Sequence, residues 1–295
     1  MYKQLFLPVI GLLFLFAAPA QTQPVRSIFF PHSVKSVQLH SGVDLQYVEQ
    51  GDKTGIPVIF LHGFTDSWRS WELVLPHLPA TVHAFALSQR GHGDSDKPLN
   101  GYTPTDFVKD VVDFMDAMKI KKAVIAGHSM GSVIAQKFAI DHADRTRGIV
   151  LVGSFAGFAN NEAIQGFRQV LDTLNDPIEE TFARGFQEST LAHPVPETFL
   201  HVVVQESLKV PSRVWKSIGY ALFSSDYTND LKKVTIPALI AWGDKDVFSP
   251  RKDQDALATT LPNARLLVYT GTGHALHWEE PEKFAHDLIA FIEPL

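Results

Sequence analysis

A serine set between two glycines is the first chemically telling feature of the chain, where Gly127-His128-Ser129-Met130-Gly131 separates two apolar runs. The run before it, Ala123 to Ala126, is short and strand-like, while Val133, Ile134, Phe138 and Ala139 after it recur at helical spacing. A strand-to-helix turn that tight strains its central residue and brings the flanking residues too close for side chains, which glycine tolerates. It also projects the Ser129 hydroxyl from the sheet edge beside a helix N-terminus, where backbone N–H groups and the dipole favour negative charge. The plain alternative is a serine capping a helix within a glycine turn. The strand–turn–helix setting favours the nucleophile.

A serine hydroxyl attacks well only when a base takes its proton, so a histidine must come within reach. Of the 13 histidines, His274 stands out by position. It lies in GTGHALHWEEPEKF, after the last strand-like run, and open α/β sheets place their sites at the carboxyl ends of strands. His277 competes with it, but Trp278-Glu279-Glu280-Pro281 assigns that residue to the start of the final helix. A carboxylate at another strand end should hold the imidazole in the correct tautomer. AWGDKDVFSP offers Asp244 and Asp246, and the earlier strand ending Leu151-Val152-Gly153-Ser154 carries no carboxylate.

The elements that must position these groups alternate between strand and helix. VKSVQLH and VDLQYVE flank Ser41-Gly42 as a hairpin, and the continuous apolar run PVIFLHG is expected to be buried on both faces. A tryptophan-bearing helical segment is expected from Ser67 to His77, then a strand over 82–88 and a helix from Thr103 to about Met118. Strands at 147–154, 235–243 and 264–270 alternate with helices over about 250–261 and up to Ile292. Such alternation of buried strands with helices specifies an α/β fold with a mostly parallel, twisted sheet flanked by helices. From Phe155 to Asp230 the alternation breaks. Ile164, Phe167, Val170, Leu171 and Leu174 share one helical face, as do Val214, Trp215, Ile218 and Leu222, while Val202 to Val204 reads either way. This interval is expected to be a helical cap inserted at about 155–230 in a single domain spanning 21–295.

Composition sets the outer bounds. The 295 residues carry a net charge of −6 with no basic run, which disfavours nucleic acid or an anionic membrane surface as partner. Without cysteine there is no thiolate nucleophile, disulfide or zinc–cysteine site. Residues 1–20 have one lysine, an apolar run from Leu5 to Ala18, and Ala18-Pro19-Ala20, the pattern of an export signal cleaved before Gln21. The expected mature protein is periplasmic or secreted, with no stable membrane span.

With these motifs in order, the chain resembles the α/β-hydrolase superfamily over nearly all its length after residue 20, weakly in the cap. LHGFTDSWRSW is similar to that family's oxyanion turn, QRGHGDSDKP to its next loop, and GHSMG to its nucleophile elbow. WGDKDVFSP and GTGHALHWEEPE resemble its acid and histidine loops. The resemblance implies Ser129 as nucleophile, His274 as base, and Asp246 rather than Asp244 as acid. It implies an oxyanion hole from the backbone amides of Phe64 and Met130, whose side chains would shape the pocket. Structural parts are implied for His62, Arg90, His92 and Asp94. No metal or organic cofactor is called for. The implied activity is hydrolysis of a small to medium, largely apolar carboxylic ester or lactone through an acyl-enzyme, beneath cap aromatics such as Phe155, Phe158, Trp215 and Phe223. Carbon–carbon bond hydrolases, haloperoxidase-like esterases and slow-turnover ligand receptors share these motifs. Dehalogenases and epoxide hydrolases are disfavoured, because they need a carboxylate where Ser129 stands.

Overall fold

Residues buried on both faces of a strand must find cover on both sides, and this requirement organises the molecule. The computed structural model describes residues 33–158 and 161–295. The export-signal pattern of residues 1–20 lies outside them. Eight strands form one sheet: β1 (Val34–Gln38), β2 (Asp44–Gln50), β3 (Ile56–Leu61), β4 (Val82–Leu87), β5 (Ala123–His128), β6 (Thr146–Val152), β7 (Ala238–Gly243) and β8 (Ala264–Tyr269). Their spatial order is β1-β2-β4-β3-β5-β6-β7-β8. β1 pairs with β2 and β2 with β4 antiparallel, and the other pairs are parallel.

Alternate residues of the central strands feed two separate cores. Ile59, Leu61, Ile125, Ile149, Leu151 and Ile240 enter one, which continues under α1 (Pro104–Ala117) and α2 (Met130–Asp141). Val58, Phe60, Val124, Ala126, Val150 and Leu239 enter the other, covered by Trp68, Trp71 and α10 (Pro281–Ile292). Helix α1 begins where its sequence says it must: Thr103 and Asp106 form a reciprocal capping box, with Pro104 in the first turn.

The interval between β6 and β7 is helical throughout its regular elements: α3 (Glu162–Thr173), α4 (Glu180–Ser189), α5 (Glu197–Leu208), α6 (Ser212–Phe223) and the short α7 (Thr228–Leu231). Helix α3 packs on α6, and α4 on α5. The ambiguous Val202–Val204 falls inside α5, where all three side chains are buried, so tertiary packing overrides their strand preference. Val170 departs from its expected face and is exposed. The segment 67–77 departs as well, forming two 3-10 turns, Trp68–Trp71 and Leu75–His77, rather than a helix. Three residues per turn put Trp68 and Trp71 on one side, both buried in the second core, and Pro76 opens the second turn. After β7 come α8 (Arg251–Thr260) and, after β8, the short α9 (Leu276–Glu279). Among the described residues no helix is long and apolar enough to cross a membrane.

Candidate active site

Ser129 sits between β5 and α2 with φ 50° and ψ −113°, a backbone conformation that side-chain-bearing residues rarely adopt. The glycines beside it are required by contact. A Cβ on Gly127 would lie 2.1 Å from the Gly131 carbonyl oxygen, and one on Gly131 would lie 2.3 Å from that of Leu61. Both obstacles are backbone, so neither can move aside cheaply. Gly131→Ala is therefore expected to lose at least about 2 kcal/mol of stability, read from urea unfolding midpoints at unchanged m.

Three loops at the carboxyl ends of β5, β7 and β8 bring Ser129, Asp246 and His274 together. His274 Nδ1 lies 2.7 Å from Asp246 Oδ2, in a pair that is almost fully buried. Asp246 is fixed in turn by its own loop: Oδ1 accepts from the Phe248 and Ser249 amides at 2.8 and 2.9 Å, and Oδ2 accepts from Ser249 Oγ at 2.5 Å. Burial pushes the Asp246 carboxyl up, but the neighbouring His274 charge and these donors outweigh it and hold the acid below its usual range. An ionised acceptor at Nδ1 places the imidazole proton there and leaves the lone pair on Nε2. His274 and Ser129 line the same pocket.

Phe64 lines that pocket too, on the turn after β3, and Met130 is the first residue of α2, so its amide has no intrahelical acceptor. The Met130 side chain is buried in the first core rather than shaping the pocket. Phe155, Phe158 and Phe223 form part of the wall. Trp215 does not. It stands one layer behind, its ring centroid 5.3 Å from that of Phe64, because α6 turns it into the core. Sequence reading did not single out Phe248 for the wall, although its place two residues after Asp246 puts its ring 5.2 Å from that of His274. It also missed Asp66, His128, Gln187 and Thr190, the remaining polar lining. Among the described residues of the lining there is no lysine or arginine.

The other motif residues stand apart from the pocket. Burial keeps His62 well below its usual pKa, so it is neutral. Its Nε2 accepts from the Gln89 amide and its Nδ1 faces the Gly63 carbonyl, which joins the turn after β3 to the loop after β4. Arg90 makes a two-pronged contact with Asp110 on α1, His92 packs on His62, and Asp94 pairs with Lys209, which caps the C-terminus of α5. Asp244 accepts from the Gly271 amide as a turn residue, and His277 is buried against Ser70 within α9.

A wide parallel sheet, a strained serine at a strand end and a carboxylate-held histidine in one pocket define an enzyme of the hydrolase class. The comparisons agree with it: the family described as alpha/beta hydrolase fold matches residues 56–281, and the chain belongs to that family. A non-heme chloroperoxidase of Streptomyces lividans is 27% identical over 277 residues, covering 88% of this chain and 99% of the relative. An esterase from Exiguobacterium antarcticum superposes with TM-score 0.79 at 24% identity, covering 88% of this chain and 98% of the other. The enol-lactonase from Burkholderia xenovorans LB400 does so with TM-score 0.79 at 20% identity, covering 88% and 99%. At those identities the two structures speak for the fold.

Proposed function

We propose that the protein is a serine hydrolase of small to medium, largely apolar carboxylic esters or lactones. The observation that carries this reading is the Asp246-anchored His274 sharing one pocket with the strained Ser129. His274 Nε2 takes the Ser129 proton as the serine oxygen attacks the substrate carbonyl. The new C–O bond pushes the carbonyl electrons onto oxygen, where the Phe64 and Met130 amides receive them. Backbone donors fixed by two turns need little reorganisation, and each contributes about 10²–10³ in rate. Asp246 stabilises the imidazolium, which then protonates the departing alkoxide. Water repeats the sequence on the acyl-enzyme and releases the acid.

The aromatic wall and the lack of lining cations favour uncharged substrates over anionic ones. The ester and lactone chemistry named for the structural neighbours supports the same reaction class, and the helices between β6 and β7 serve as the cap over the site. The leader-like residues 1–20 favour a place outside the cytoplasm, where the enzyme would scavenge or detoxify esters.

Incubation with a fluorophosphonate should label one site per chain, with tryptic mass spectrometry placing the adduct on Ser129. A panel of aryl esters, aliphatic esters, lactones and vinylogous diketones then identifies the bond cleaved. A chain that takes no label and turns over none of the panel would sink the proposal. The chloroperoxidase likeness makes peroxide-dependent halogenation the second activity to assay.

A further inference from the structure

Asp66 is a carboxyl the mechanism above does not use, yet it is 2% exposed and lines the pocket with Ser129 and His274. Four separate elements meet on it. The Gly63 amide of its own turn bonds it, and its Oδ1 accepts from Gln187 Nε2 of α4 at 2.8 Å. Its Oδ2 accepts from Ser70 Oγ at 3.2 Å and faces His128 Nδ1 at 3.9 Å. Gln187 continues to Ser207 of α5, which meets Thr65, so the cap is tied twice to the turn that carries Phe64. Ser70 also meets His277 Nε2.

His128 decides which way a proton points. Its Nε2 lies 3.2 Å from the His274 carbonyl oxygen, which can only accept, so the hydrogen of the neutral ring belongs on Nε2. Burial and the neighbouring His277 and His274 keep the ring neutral. That leaves Nδ1 a bare lone pair, buried and with no hydrogen-bond partner, 3.9 Å from Asp66 Oδ2. An ionised carboxylate would set two lone pairs against each other at a buried contact. A protonated one, closing by about 1 Å, would donate to Nδ1.

We propose that Asp66 is a positioning residue that works as a neutral acid, its Oδ2–H directed at His128 Nδ1, locking the oxyanion turn to the serine elbow and to Gln187 of the cap. This rests on the serine-hydrolase reading, because the turn and elbow carry the two amides assigned to the oxyanion. Independently of this geometry, burial pushes the Asp66 carboxyl up to about 7 against the pull of Gln187, Ser70 and the His274 charge.

Asp66→Asn keeps the shape and supplies an N–H in place of the acid proton, so it separates proton from packing. An acid whose folded pKa is raised stabilises most below its unfolded value and less as pH rises towards its folded value. The Tm of the wild type relative to Asp66→Asn should therefore decline from about pH 4 to about pH 7 and then level off. This arm needs no turnover, so it judges the proton even if Ser129→Ala retains activity and the hydrolase reading fails. In the second arm, wild-type kcat should fall about tenfold as pH rises through the Asp66 ionisation, with KM little changed, and Asp66→Asn should lack that fall. Gln187→Leu removes a donor that favours the ionised form, so its fall should move to higher pH. A pH-independent Tm difference, a fall that persists in Asp66→Asn, or one that stays or moves to lower pH in Gln187→Leu overturns the proposal.

Discussion

Ser129→Ala should lower kcat on any ester the protein turns over by about 10³- to 10⁶-fold while leaving the fold in place. The substitution removes one oxygen and nothing that supports the turn. Alanine at φ 50° is as strained as serine, and the Ser129 amide still donates to the Val152 carbonyl. Its Tm should stay within a few degrees of wild type, which makes the lost rate a statement about chemistry rather than folding. Residual turnover would come from the pocket and the oxyanion amides, and an active-site titration separates it from a trace of wild type. Near-normal kcat in a verified variant would refute covalent catalysis by this serine.

Asp246→Asn should cost about 10⁴ in kcat, through the proton on His274 rather than through lost packing. The Phe248 and Ser249 amides both donate to Oδ1, so the amide oxygen of the variant is held there. Its NH₂ then faces Nδ1, which must become an acceptor, and the imidazole proton moves to Nε2, where a base is needed. KM should change far less than kcat, since neither residue binds the substrate's carbon skeleton. Stability gives a second readout with a definite sign. A carboxylate held below its usual pKa adds stability above its unfolded value and loses it as pH falls through the folded one. The Tm deficit of Asp246→Asn should therefore be greatest above about pH 5 and shrink in acid. A deficit that grew on acidification would contradict an ionised Asp246 held at this buried contact.

The central strands were legible because their apolar runs are continuous, and burial on both faces leaves only one kind of fold to accept them. His274 was legible through its loop, which follows a run that ends a strand, whereas the loop after 235–242 offered Asp244 and Asp246 alike and only the family resemblance chose Asp246. Trp215 was not, because aromatic spacing on α6 reveals a buried face without telling which layer of rings it joins. The 67–77 segment defeated a helical reading for a similar reason: two tryptophans three apart satisfy a 3-10 turn as well as an α-helix. Asp66 gave no signal at all. Ser70 is near in sequence, but His128 and Gln187 come from distant stretches, and only folding shows that a carboxyl in an ordinary-looking turn is buried.

The sheet order has a consequence for how such a chain is made. From β3 outward, β5, β6, β7 and β8 are added to one edge in the order in which a ribosome delivers them. Each arriving segment can dock on a neighbour already in place, with no need to reopen an earlier pairing. The Ser129 alcohol is laid down early, and the His274 imidazole proposed to activate it arrives only with the loop after the outermost strand. Under the proposed mechanism a half-synthesised polypeptide would be chemically inert, and competence would arrive as the last edge is sealed.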